Sequence, residues 1–190
     1  QGTYSQSPAV RADMFAPLDQ ELAETTPGGD GLFFLPLAGG HSFPVGDHRG
    51  GFMGLRLDHA RADMARAVME GAAFELRWAL NHIRRAGMPV KRLWLIGGAA
   101  KSPSWPAIVA DITGVPLSLP LYEHWPAVGA AILAGVGLGA VEVLEAVPTS
   151  LQKPAREIEP HRARTRIYGH CFAQYQHLVA VAAQGEGAIE

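Results

Sequence analysis

The stretch that decides the fold is Leu93-Trp94-Leu95-Ile96-Gly97-Gly98-Ala99-Ala100-Lys101-Ser102. Its run of apolar residues is typical of a buried strand, predicted over residues 90–96, and two glycines end it. A helix is predicted to follow at once, capped by Ser102 or Ser104 and ending at Gly114. Such a turn leaves backbone N–H groups uncovered at a helix N-terminus, where a nucleotide can lie against bare backbone. A tight strand-to-helix turn without a ligand explains the glycines equally well.

Neither of two common nucleotide motifs is present around this stretch. A Walker loop needs glycines where Leu95 and Ala100 stand, so Lys101-Ser102 is not a phosphate-loop pair. A dinucleotide fingerprint fails further along, because Ala140 replaces its third glycine after Gly135, Gly137 and Gly139. These later glycines are predicted to end a helix.

Strands and helices alternate on both sides of the stretch. Residues 115–119 are predicted to form a second strand and residues 127–136 a helix rich in Ala and Gly. The order strand, helix, strand, helix implies an α/β domain with parallel pairing across the first helix. Upstream, residues 32–35 are predicted as a buried strand, followed by a glycine-rich loop over 38–51.

The longest predicted helix covers residues 58–86. Asp58 is the expected N-cap, and Gly87 is expected to end the helix. Its apolar stripe is expected to face the core, opposite its arginines. The stripe consists of Met64, Val68, Ala72, Leu76, Ala79 and Ile83.

One domain is expected from the 190 residues, of which 48% are hydrophobic. Residues 1–28 are predicted to form an N-terminal helix, over 9–24, and a linker. Residues 29–150 would form the α/β core, including a short helix over 140–147. Residues 160–184 would form a C-terminal docking helix, which helical spacing places over 165–183.

Composition excludes two classes of partner and indicates a compartment. A net charge of −2 gives no basic field for nucleic acid or an anionic membrane. The single cysteine, Cys171, cannot form an internal disulfide and is expected to be a small buried thiol. Without a signal peptide or an apolar run long enough to span a bilayer, a cytoplasmic location is expected.

A second segment carries a family pattern. Gly50-Gly51-Phe52-Met53-Gly54-Leu55 is followed, after seven residues, by Asp63-Met64-Ala65-Arg66-Ala67-Val68-Met69-Glu70. This resembles the C-terminal signature of the FGGY carbohydrate kinases: a small residue, an aromatic and Gly-Leu, then a helix with acid-apolar-x-x-Ala-apolar-apolar-acid. The resemblance continues through residues 31–36, Gly97-Gly98-Ala99 with Ser102, and 128–131. It is nearest to the xylulose kinases.

The sequence departs from the family pattern in places. Gly40-His41-Ser42 stands where many relatives carry Gly-Glu-Arg, and residues 123–126 replace an acid-rich stretch. The family's catalytic aspartate and most of its sugar site lie in an N-terminal lobe, and a Gly-Thr-Ser-Gly-like phosphate loop opens its C-terminal lobe. Neither is found in this sequence. The resemblance therefore implies a piece of a kinase, without a catalytic residue and inactive alone.

The fold implied by the resemblance is the α/β, actin-like ATPase (ribonuclease H-like) domain, as the C-terminal lobe of a sugar kinase lacking its first strands. The implied activity is ATP-dependent phosphorylation of a sugar hydroxyl, with a pentulose, nearest xylulose, as substrate. ATP and Mg²⁺ would be bound together with the N-terminal lobe. Gly98 would pack against the adenine or ribose, Ser102 would hydrogen-bond the base edge, and Gly97 and Ala99 would keep this wall low. The piece would self-associate, or the full kinase would be a homodimer.

Several polar and aromatic side chains remain open to more than one interpretation. Asp63 and Glu70, seven residues apart on a helix, suit a metal site or acid–base chemistry, while a solvated helix face or a structural hydrogen bond explains them as well. The tryptophans near the glycine turn either belong to the core or shelter an adenine ring: Trp94, Trp105 and Trp125. Zinc spacing is absent among the histidines considered, namely His41, His48, His59, His170 and His177.

Two other functions stay open at this point. An actin-like module could bind nucleotide and act alone in regulation. Alternatively, an interaction domain could have kept the fold and lost the nucleotide.

Overall fold

The computed structural model describes residues 19–36, 50–121, 124–140 and 154–185. Within them, two strands form an antiparallel hairpin, β1 (Phe33–Leu35) and β2 (Gly51–Met53). A second sheet has the order β3-β4-β5, with β3 at Leu93–Trp94, β4 at Leu117–Pro120 and β5 at Pro154–Ile158. β3 and β4 are parallel, as predicted, and β5 is antiparallel to β4.

Four long helices complete the described architecture: α1 (Arg61–Arg85), α2 (Trp105–Thr113), α3 (Trp125–Gly137) and α4 (Arg162–Gly185). Residues 19–23 are also helical, and 3-10 turns occupy Gly29–Gly31 and Gly98–Lys101. Glycine ends two helices where it was predicted, with φ of 82° at Gly87 and 64° at Gly114. None of the helices in the described ranges is long and apolar enough to cross a membrane.

The core lies between α1, α2, α4 and the two sheets. Phe74 of α1 is at its centre, with ring centroids 5.1–6.4 Å from four aromatic rings: Phe33, Tyr168, Phe172 and Tyr175. Ile112 of α2 and Leu117 of β4 are fully buried in the same cluster. The predicted docking helix therefore contributes directly to the core, through α4.

The buried face of α1 differs from the prediction. Val68, Leu76 and Ile83, which were expected in the core, are 36–41% exposed. The buried face instead combines small residues with a charged pair: Ala62, Arg66, Ala67, Glu70, Gly71, Ala73, Phe74 and Leu80. Small residues occupy the buried face of α1 because β1 approaches the helix closely. The charged pair can also be buried there because Arg66 and Glu70 carry opposite charges and contact each other.

The start of α1 also differs from the prediction. Its N-cap is Ala60, and the backbone N–H of Ala60 donates to the Asp63 carboxylate over 2.8 Å. Asp58 is instead exposed and forms an ion pair with Arg56 at 3.1 Å. The acid at the third helical position bonds back to the N-cap residue, which is the half of a capping box that needs no polar N-cap side chain.

Some elements were not predicted, and others cannot be compared. β2 and β5 were not predicted, and α4 begins at Arg162, between the two predicted starts of the docking helix at residues 160 and 165. Three predicted elements lie wholly or mostly outside the described residues: the first part of the N-terminal helix, most of the glycine-rich loop and the short helix over 140–147. The division into 1–28, 29–150 and 160–184 stays a prediction.

Candidate functional site

The glycine turn after β3 has an open surface. The backbone of Gly97 has φ of 81° and ψ of −163°, a conformation that residues with a Cβ rarely adopt. Gly98 and Ala99 are exposed, and a Cβ built on Gly98 would meet no atom within 4 Å. The turn thus presents the bare backbone of two glycines and, at Ala99, no more than a methyl group.

The predicted strand at this turn is shorter than expected. Only Leu93–Trp94 is a strand, at the edge of its described sheet, and Trp94 and Ile96 are 44% and 49% exposed. The prediction of a buried strand over residues 90–96 was therefore wrong in length and in burial, and of the two interpretations of Trp94 the one that places it in the core does not hold. Trp105 is half-buried and packs against the core, and Trp125 is half-buried.

A 3-10 turn, Gly98–Lys101, separates the glycines from α2, so the helix does not follow at once. Ser102 is extended, with φ of −65° and ψ of 133°. The ring of the next residue, Pro103, disfavours a helical conformation at Ser102. The helix therefore begins only at Trp105.

The N-cap residue of α2 is Ser104, one of the two predicted caps, although its own side chain makes no capping hydrogen bond. The hydroxyl that bonds the start of the helix belongs to Ser102. Its Oγ accepts the backbone N–H of Ser104 at 3.3 Å and that of Trp105 at 3.1 Å. The same hydroxyl donates to Oδ1 of Asp19 at 3.0 Å. A serine hydroxyl has one proton and two lone pairs, so these bonds use its whole capacity. Its predicted contact with a nucleotide base stays a prediction.

The signature glycine and the first signature acid both have structural roles. Gly54 has φ of 79°, and a Cβ there would overlap the carbonyl oxygen of Gly31. The Gly54 position therefore allows the chain after β2 to pass close to the turn before β1. The carboxylate of Asp63 accepts a hydrogen bond from the backbone N–H of Ala60 at the start of α1.

The second signature acid, Glu70, is 2% exposed and lies in a buried hydrogen-bond network. Its Oε1 accepts the Gly28 N–H at 3.1 Å, the Tyr168 hydroxyl at 2.7 Å and Nη1 of Arg66 at 3.3 Å. Burial raises the pKa of the Glu70 carboxyl, and its hydrogen bonds and the Arg66 charge oppose this rise. Burial next to Glu70 likewise raises the pKa of Tyr168.

Arg66 extends this network to the segment before β1. Its Nη2 donates to the carbonyl of Leu22 at 2.9 Å, its Nε donates to the Thr25 hydroxyl, and its Nη1 donates to the Tyr168 hydroxyl at 3.2 Å. We call Arg66, Glu70 and Tyr168 the buried clamp. It joins residues 22–28 to α1 and α4.

The structure favours the structural interpretation of both signature acids. Across the four described ranges, no group of three or more His, Cys, Asp or Glu side chains is placed to hold a metal ion. Cys171 is buried, as predicted, and burial raises the pKa of its thiol. The spacing of Arg66 and Glu70, four residues apart on one helix, was the sequence signal for the clamp. No sequence signal pointed to Asp19.

The chain resembles a known protein family and several named kinases over most of its length. Residues 5–138 match the C-terminal domain of the FGGY family of carbohydrate kinases. A xylulose kinase of Staphylococcus epidermidis is 36% identical over 156 residues, which are 81% of this chain and 32% of the relative. The L-xylulose/3-keto-L-gulonate kinase of Escherichia coli is 33% identical over 171 residues, or 90% of this chain and 34% of the relative.

Solved structures of sugar kinases share the fold of this chain. The xylulose kinase from Rhodospirillum rubrum has a TM-score of 0.74 and 28% identity, over 91% of this chain and 35% of that one. The gluconate kinase from Lactobacillus acidophilus has a TM-score of 0.76 and 27% identity, with the same coverage. The chain thus spans about a third of the length of these relatives. The predicted α/β, actin-like fold is confirmed, and the chain belongs to the FGGY family of carbohydrate kinases, whose C-terminal domain it matches.

Proposed function

We propose that this chain is the nucleotide-binding lobe of an ATP-dependent sugar kinase, with a pentulose, nearest xylulose, as the phosphoryl acceptor. Family membership supports the reaction class, and the xylulose kinases among the relatives support the choice of sugar. The observation that carries the placement of ATP is the open glycine turn between β3 and α2. A kinase of this kind would work in the cytoplasm, where its ATP is available.

The glycine turn fits an adenine nucleotide. Because Gly97, Gly98 and Ala99 present backbone and at most a methyl group, a flat ring or a ribose can approach within van der Waals contact. A Cβ at Gly98 would project into space that no protein atom occupies within 4 Å. Ser102, one turn further on, is the polar group nearest in sequence for the base edge.

The rest of the reaction would use groups outside this chain. The base that takes the proton from the sugar hydroxyl would come from the remaining two thirds of the kinase, which would also supply most of the sugar site. Mg²⁺, when bound, would neutralise charge on the transferring phosphoryl group. It would be held mainly by the phosphates and the other lobe, since the described part of this chain offers no cluster of metal ligands.

The purified 190-residue chain should show no sugar-dependent ATP turnover, because positioning both substrates supplies most of the catalysis in phosphoryl transfer. A coupled ADP assay with D-xylulose would measure this. Turnover that persists after removal of contaminating kinases would contradict the proposal.

The chain should also self-associate in sedimentation experiments, because its described surface exposes large apolar side chains, among them Leu57, Trp94, Ile96, Leu133 and Leu138.

Replacing Gly98 by valine in the full-length kinase should weaken ATP binding at least tenfold, about 1.4 kcal/mol, because the added methyl groups would occupy the place of the ring. Gly98→Ala should give a smaller loss. Nucleotide titration would measure affinity, and the melting temperature would report folding.

Gly169→Val is the matched control for this experiment. Gly169 lies on α4, where a Cβ also meets no atom within 4 Å. It should leave ATP affinity unchanged. If the folded Gly98→Val kinase binds ATP as tightly as the wild type, the nucleotide does not lie on this turn.

A further inference from the structure

We propose that Asp19 is a positioning residue of the nucleotide site, which acts by holding the hydroxyl of Ser102. The proposal rests on the proposed function, because it takes the glycine turn as the nucleotide site. The observation behind it is the 3.0 Å hydrogen bond from Ser102 Oγ to Asp19 Oδ1, between residues 83 positions apart.

The bond to Asp19 fixes the direction of the Ser102 hydroxyl. When the hydroxyl proton points at Asp19, both oxygen lone pairs are left for the backbone N–H groups of Ser104 and Trp105. Donation to a carboxylate also polarises the serine oxygen and strengthens the bonds that it accepts. The negative charge lies near the N-terminus of α2, where the helix dipole favours it. Asp19 thus stabilises the start of α2, directly after the turn over Gly98–Lys101.

Asp19 can perform this role because the segment that follows it, residues 22–28, is fixed at several points. Leu22, in the same helical segment, is fully buried. Its carbonyl accepts bonds from Arg66 Nη2 at 2.9 Å and from the Thr25 hydroxyl at 2.7 Å. Glu70 holds the N–H of Gly28 at the other end of the segment. The buried clamp therefore connects, through residues 19–28, to the residue that orders the nucleotide turn.

The hydrogen bonds of the Ser102 hydroxyl restrict how a nucleotide can contact it. The hydroxyl of Ser102 has no free capacity while Asp19 accepts its proton, so a nucleotide that contacts Ser102 must share a bond that already exists. The effect of Asp19 on nucleotide affinity therefore has to pass through Ser102, and the sugar site lies outside this route.

The test uses the full-length kinase with ATP and D-xylulose as probes. Asp19→Ala should raise the KM for ATP about three- to tenfold, with kcat and the KM for the sugar changed less than about twofold; threefold to tenfold corresponds to about 0.7–1.4 kcal/mol. Asp19→Asn should restore most of the affinity, because its amide oxygen still accepts the serine proton. If the alanine variant folds poorly, Asp19→Ser serves instead, since its hydroxyl is too short to reach Ser102.

Two controls make the test specific. Glu21→Ala changes an acid of the same helical segment, paired with Arg61 on the surface, and should leave the KM for ATP unchanged. In the Ser102→Ala background, Asp19→Ala should add less than a twofold effect, because the partner is already gone.

Additive effects of the two substitutions would overturn the proposal, and so would an equal rise in the KM of the sugar. If Gly98→Val weakens ATP binding while Asp19→Ala does not, the role of Asp19 fails and the nucleotide site stands. If neither has an effect, the placement of the nucleotide fails with it.

Discussion

Replacing Glu70 by alanine should lower the free energy of unfolding of the chain by about 3–5 kcal/mol, because it removes one partner of a buried ion pair. The Arg66 guanidinium, the Tyr168 hydroxyl and the Gly28 N–H would all lose the oxygen that they share. Urea unfolding at neutral pH, followed by circular dichroism, would measure the loss.

Asp63→Ala is the matched control, because Asp63 is the other acid of the same signature. It should cost about 0.5–2 kcal/mol, the usual loss for a helix N-cap interaction. Glu70→Gln keeps an acceptor oxygen and should cost less than Glu70→Ala. Equal losses for Asp63→Ala and Glu70→Ala would contradict the assignment of Glu70 as the central acceptor of the buried clamp.

The pH dependence of the Glu70→Gln variant gives a second readout. In the folded chain burial raises the pKa of Glu70 above its ordinary value of 4.5. The folded state therefore holds its proton more tightly than the unfolded state, and the resulting stability is present below pH 4.5 and is lost as the pH rises through the raised pKa. The stability of the wild type relative to Glu70→Gln should fall over that window. A rise would mean that the hydrogen bonds and Arg66 outweigh burial.

The order of secondary structure could be predicted from the sequence because its signals are local. Apolar runs and glycines gave β3, α2 and β4 in the right order and with the right parallel pairing, although β3 is shorter and more exposed than predicted. The strand β5 was missed because it contains Arg156 and Glu157, has little apolar character, and is held by backbone pairing with β4. Such pairing leaves no periodic pattern in the side chains.

The buried face of α1 could not be predicted from apolar spacing. Arg66 and Glu70 belong to residue types that periodicity assigns to the surface, yet each offsets part of the desolvation cost of the other when they are buried together. The apolar positions alone therefore assigned the wrong face of α1 to the core. The glycine turn was found because its signal lies in consecutive residues, whereas Asp19 and Ser102 meet only in the folded chain.

Replacing Gly71 by alanine should destabilise the chain by about 1–3 kcal/mol, although alanine is the better helix former. Gly71 faces β1, where a Cβ would overlap the carbonyl oxygen of Phe34 and lie 3.2 Å from its carbonyl carbon. These are backbone atoms that cannot rotate away, so α1 and β1 would have to separate. The aromatic packing of Phe74 against Phe33 would loosen with them. Thermal and urea unfolding would measure the loss.

Gly169→Ala separates this steric effect from helix propensity. Gly169 lies within α4, and a Cβ there meets no atom within 4 Å. The same substitution should therefore stabilise the chain by up to about 1 kcal/mol, because alanine loses less conformational freedom on folding than glycine. Opposite signs for the two variants would show that β1 approaches α1 closely at Gly71. Stabilisation by both would mean that α1 and β1 can move apart at little cost, and that the small residues on the buried face of α1 do not set its distance from the hairpin.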